Sequence, residues 1–214
     1  MSARDDILAR IASALRDAPV APAIPRDYRR ATALTGEQRL AQLVDRLEDY
    51  KANVAVVPAA AAAVTVAQLL AGASSIVVPE GLPSSYLSAL ADLTDDGGAP
   101  AVLVDSPARR LTVAQLDAVD AVVTAAAVAV SETGTIILDG SPDQGRRIIS
   151  LVPDRHVCLL TMDQVVEVLP EAIALLDPTR PQTWISGPSA TSDIELERVE
   201  GVHGPRTLDV IVLS

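Results

Sequence analysis

The chain has 214 residues, 49% of them hydrophobic, enough to bury one sizeable core and better suited to one large domain with an arm than to two domains. Its 28 acidic and 17 basic residues leave a formal charge of −11, which opposes a polyanionic partner and sets nucleic acid aside as an expected ligand. A single cysteine, Cys158, excludes an intrachain disulfide and a four-thiolate iron–sulfur site built by this chain alone.

Met1-Ser2-Ala3-Arg4-Asp5-Asp6 lacks the apolar core of a signal peptide, and no later stretch reaches membrane-spanning length without a charge or a proline. A cytoplasmic protein with no membrane span is therefore expected. Ser2 and Asp5 have capping-box spacing, and Ile7, Leu8, Ile11 and Leu15 follow at helical intervals. Pro19, Pro22 and Pro25 then end any helix, because proline removes a donor and clashes with the preceding turn. Thr35 and Gln38 make a second capping box ahead of an apolar stripe, Leu40, Leu43, Val44 and Leu47, that stops near Tyr50. Residues 1–50 thus read as a helical arm with a proline-rich linker, and 51–214 as the main domain.

From Asn53 the pattern changes to short aliphatic runs: 54–57, 76–78, 101–104, 121–125, 136–138, 157–160 and 208–213. Helical candidates at 59–70, 83–91, 113–118 (capped by Thr112) and 162–176 lie between several of them. This alternation predicts an α/β fold, a mostly parallel sheet with helices on both faces.

Three polar segments sit at strand ends, where open α/β sheets bind ligands. Ser131-Glu132-Thr133-Gly134-Thr135 links two strands and holds a carboxylate beside two hydroxyls on a sharply turning backbone. Glu132 suits a nucleophile, a general base or a cation's partner, while the motif alone reads first as a strand-connecting turn whose Glu is solvated. Asp139 to Arg147 follows the next strand and ends in Arg146 and Arg147, donors for a carboxylate or phosphate with one of the pair expected to face solvent.

The third segment, Gly187 to Glu195, follows Thr183-Trp184-Ile185 and offers Gly187, Ser189, Thr191 and Ser192 as a loop entering a helix, fit for an anion or for plain N-capping. Beyond it, His203 between Gly201 and Gly204 is a candidate acid/base group or a loop histidine bound to backbone, and Arg206 follows. His156 opens an apolar strand and is the weaker histidine. No HExxH, GxGxxG or Walker-A pattern is present, which disfavours a catalytic zinc, nicotinamide and P-loop chemistry, and no metal site is expected.

Taken together, Ser131 to Thr135, Gly187 to Glu195 and Gly201-Val202-His203-Gly204-Pro205 resemble the lactate utilization protein C family of the LUD-domain group, over roughly 53–214. The resemblance implies a fold related to the ribose-phosphate isomerase and CoA-transferase superfamily. It also implies membership of a three-component system oxidising L-lactate to pyruvate. The iron–sulfur clusters would then belong to two partner subunits, with no cofactor in this chain. Glu132 and His203 are the catalytic candidates. Thr133, Gly134, Thr135, Arg146, Gly187, Ser189, Thr191, Ser192 and Arg206 are candidates to hold a small carboxylate or phosphate. Ala190 stands where the family's GPS-x-T block often has arginine, so an anion contact there must come from elsewhere, such as Arg146 or Arg206. A stand-alone enzyme or ligand-binding module acting on an acyl or sugar-phosphate compound is the competing expectation.

Overall fold

Runs of valine, isoleucine and leucine without polar alternation form strands that are covered on both faces. A computed structural model describes residues 2–18, 20–29, 33–92, 98–188, 190–191, 199–200 and 204–214. Two helices come first, α1 (Ala3–Ala14) and α2 (Gly36–Asp49), each opened by the capping box that its sequence predicts. They differ in packing. None of α1 is buried, whereas Leu43 and Leu47 of α2 are fully buried, each such leucine contributing about 2 kcal/mol of transfer free energy.

The main unit then runs β1 (Asn53–Val57), α3 (Ala62–Leu69), β2 (Ser75–Pro79), β3 (Ala101–Asp105), α4 (Val113–Asp117), β4 (Ala121–Ala125), β5 (Val128–Val130) and β6 (Thr135–Leu138). It continues through β7 (Arg155–Thr161), β8 (Val165–Val166), α5 (Leu169–Leu175), β9 (Thr183–Ile185), β10 (Ala190–Thr191), β11 (Val199–Glu200) and β12 (Thr207–Leu213). Six strands form an all-parallel sheet in the order β1-β12-β7-β4-β2-β3. One face packs on α3 and the 3-10 helix Ser84–Asp92, through Ile76, Val78, Val123, Leu159 and Ile211. The other face carries Cys158, Leu160, Val210 and Val212 against α2 and against a second sheet, β8-β5-β6-β9. That second sheet is mixed: β6 runs antiparallel to both β5 and β9, while β8 runs parallel to β5. Its outer face is closed by Ala172 of α5. The parallel α/β sheet with flanking helices is as predicted, and the second sheet is an addition that takes over part of one helical layer.

One predicted helix is three elements. Residues 162–176 divide into a 3-10 turn, Met162–Gln164, then β8 and then α5. Pro170 forbids a helix running through it from 162 but is tolerated in a first turn, and the β-branched pair Val165-Val166 is free to join β5.

Candidate functional site

The turn between β5 and β6 is built by Ser131-Glu132-Thr133-Gly134, with Gly134 at φ +61°. A side chain at Gly134 would be strained there and would place its Cβ 2.8 Å from that of Arg46, so the hairpin tip lies directly on α2. Ser131 Oγ donates to Gln42 of the same helix at 2.8 Å. Glu132, with its side chain 45% exposed, is ion-paired with Arg29 of the proline-rich segment. Nearby, the Glu167 carboxylate accepts from the backbone N–H groups of Ala33 and Leu34 at 2.6 and 2.8 Å. The arm therefore crosses the tip on which Glu132 stands. From that tip a chain of hydroxyls leads inward: Thr133 to Thr135 at 2.8 Å, and Thr135 to Ser186 at 2.9 Å.

Ser186 lines the smaller of two adjoining cavities. The larger, about 520 Å³, lies beyond the carboxyl ends of β2 and β3, where Pro79 and Asp105 meet the loop 139–147 and Arg180. The smaller, about 290 Å³, is lined by His156, Ser186, Gly187 and Pro188, and shares Arg147, Ser150 and Thr183 with the first. Two glycines set their walls. The Gly81 N–H donates to Pro142 O at 3.0 Å, and Gly145 sits at φ +69° against Pro79 and Ile149.

The polar groups here are held in pairs. Asp105, 3% exposed, receives Arg146 Nε at 2.8 Å and Nη2 at 2.5 Å, and the Leu111 N–H at 2.9 Å. Burial works to raise its pKa, but the hydrogen bonds from Arg146 and Leu111 and the charge of Arg146 outweigh it and hold the carboxyl below its usual range. Asp139 accepts from Ser141 Oγ at 2.6 Å and from Arg180 at 3.1 Å.

His156 is 1% exposed and hydrogen-bonds Thr124 through Nε2 at 2.8 Å. Burial lowers its pKa to about 4, the charge of Asp209 only partly opposing that shift. Between this value and the unfolded one near 6.5, the unfolded chain binds the extra proton, so stability falls as pH drops through that window. We expect a loss of about 3 kcal/mol from this residue across the window in urea titrations, and a flatter profile for His156→Gln. Equal pH dependence in the two proteins would refute it.

Cys158, one strand position further in than Val157, is wholly buried, and burial pushes its thiol up to about 12 despite the Thr124 hydroxyl at 3.9 Å. Only the thiolate is a nucleophile, so native protein should resist iodoacetamide at about pH 8 and take up one equivalent when denatured. Rapid labelling of the native chain would show that the strand opens.

The predicted site residues are distributed as follows. Thr133, Gly134 and Thr135 connect through Ser186 to Gly187, which has φ +84° and lines the smaller cavity. Arg146 lines the larger one, but its guanidinium is engaged with Asp105. Glu132 belongs to neither lining, and Arg206 pairs with Asp154 at the surface, 3.2 Å away. Ser189, Ser192 and His203 lie outside the described residues. Thr191, expected near a helix entry, is extended and pairs with Val199. Sequence reasoning missed Asp105, Arg180 and the role of His156. The available signal was Asp139-Gly140-Ser141-Pro142-Asp143-Gln144-Gly145, whose glycines at φ +70° and +69° mark a loop folded tightly over strand ends.

Sheet, inserted hairpin and cleft define an α/β protein with a ligand-sized cavity beyond its strand ends. The LUD domain profile matches residues 40–213, and the chain belongs to the LUD domain family. It is 47% identical over 185 residues to a Deinococcus radiodurans protein named lactate utilization protein C, covering 85% of this chain and 82% of that one. A Bacillus subtilis protein of the same name is 31% identical over 100 residues, 43% of this chain and 41% of the other. The crystal structure of a DUF162 family protein from Deinococcus radiodurans superposes with a TM-score of 0.67 at 40% identity, covering 85% of this chain and 99% of its own.

Proposed function

We infer that this protein serves lactate utilization as the cluster-free component of a three-part system in which two iron–sulfur partners oxidise L-lactate to pyruvate. The observation that carries the reading is the 47% identity, over most of both chains, to a protein named lactate utilization protein C. The Glu132 tip suits such a role chemically. Lactate presents a carboxylate and a neighbouring hydroxyl. The Arg29 guanidinium is a donor for the first, and the Glu132 carboxylate accepts a hydrogen bond or a proton from the second. The Thr133-Thr135-Ser186 hydroxyl chain beside them adds donors that reorient without cost in charge.

Co-expression with the two partners and measurement of L-lactate oxidation, with and without this chain, tests the reading. We expect oxidation to require it. Glu132→Gln preserves volume and removes the charge, and because the ion pair with Arg29 is exposed, stability should change by less than about 1 kcal/mol. Turnover of the reconstituted system should drop by about a hundredfold if the carboxylate handles the hydroxyl proton. Full activity of the Glu132→Gln system would remove Glu132 from the chemistry.

A further inference from the structure

We propose that the two adjoining cavities form one binding cleft for an organic phosphate, a phosphomonoester on an apolar body, separate from the Glu132 tip. The first observation is charge. In a chain of net charge −11, Arg110, Arg146, Arg147 and Arg180 all line the larger cavity. Arg146 is spent on Asp105 and Arg180 on Asp139. The guanidiniums of Arg110 and Arg147 make no hydrogen bond or ion pair among the described residues, Arg110 acting on Asp105 only through its charge, and Glu80 is an unpaired acid exposed on the rim. Two unspent guanidiniums match a phosphomonoester, which carries close to two negative charges at neutral pH and several acceptor oxygens.

The second observation is position. Arg147 and Ser150 belong to both cavities, so an anion held by them stands at the junction while the rest of the molecule has somewhere to go. The third is the shape and character of that space. Its walls are Pro79, Pro107, Pro142 and Pro181, rigid rings without N–H donors, and about 520 Å³ is in the range of sites for molecules much larger than lactate. The Asp105–Arg146 and Asp139–Arg180 pairs hold the walls, and the two free arginines face the ligand.

Phenyl phosphate, inorganic phosphate, phenol and L-lactate, titrated calorimetrically into the full-length protein at neutral pH and low salt, provide the test. Phenyl phosphate should bind saturably and at least about tenfold more tightly than the other three. Arg110→Gln/Arg147→Gln should weaken it by at least about tenfold, with an unchanged thermal midpoint because both side chains are exposed, while Arg10→Gln in α1 should leave binding as it was. No binding of phenyl phosphate, or equal weakening by Arg10→Gln, would overturn the site. Inorganic phosphate binding as tightly would overturn the apolar part of the ligand, and L-lactate binding as tightly would overturn the phosphate assignment. Glu132→Gln should leave these titrations unchanged, so failure of the lactate reading and failure of this one are read separately.

Discussion

Arg155→Met should cost about 3–5 kcal/mol of stability and lower the thermal midpoint on the order of 10 °C, more than Asp209→Asn at its partner. Asp209 is 1% exposed in β12 and is held by Arg155 Nε at 2.6 Å from β7 and by Asn53 Nδ2 at 2.8 Å from β1. Asn53 is in register with Asp209, and Arg155 reaches it from two positions earlier on the neighbouring strand, all near the amino ends of three adjacent strands. Removing the guanidinium strands a carboxylate in the interior with one amide for company. Removing the carboxylate instead leaves Arg155, 32% exposed, able to recruit water. Asp209→Asn should therefore cost less, and Arg155→Met/Asp209→Leu should recover much of the loss. Urea denaturation of the four proteins checks this, and a larger cost for Asp209→Asn than for Arg155→Met would contradict the asymmetry.

Gly81→Ala should disrupt the cleft. A Cβ at this position would stand 2.4 Å from Pro142 Cβ and 2.5 and 2.6 Å from its carbonyl carbon and oxygen. These atoms belong to backbone and a proline ring, so no side-chain rotation relieves the overlap, and the loop 139–147 must move away from the end of β2. With it goes the 3.0 Å hydrogen bond from Gly81 to Pro142. We expect a loss of about 2–4 kcal/mol in urea melts. Gly72→Ala is the contrasting case: nothing lies within 4 Å of its Cβ, and only the strain of φ +83° remains. Equal effects at the two positions would mean that contact with Pro142 is not what fixes the loop.

Local signals made the fold readable where they were strong. The capping boxes at Ser2, Thr35 and Thr112 start helices in the structure, and the aliphatic runs at 76–78, 121–125, 157–160 and 208–213 are strands of the parallel sheet. In the second sheet the run 136–138 and Thr183-Trp184-Ile185 read as strands, whereas β8, with two residues inside a predicted helix, is too short for any periodicity to register. For the site, the polar strand-end segments drew attention to the hydroxyl chain and to Arg146. The cleft itself arises from residues far apart in the chain, Asp105 with Arg146 and Asp139 with Arg180, whose meeting depends on strand order. Strand order is a long-range property that no local pattern encodes. A histidine in an apolar run reads as a core residue, and His156 is one, while also lining the smaller cavity.

The placement of β12 between β1 and β7 bears on how the chain is made. β1 is an edge strand whose partner in the sheet is β12, and the Asn53–Asp209 contact spans 156 residues. During translation β1 leaves the ribosome early and then has no neighbour to pair with until residues 207–213 follow. For that interval, a strand of Asn-Val-Ala-Val-Val has its backbone unpaired beside an incomplete sheet, a state exposed to chaperones and to self-association. Insertion of β12 between β1 and β7 joins β1 to the rest of the sheet, a pairing of high sequence separation whose closure costs chain entropy before its contacts form.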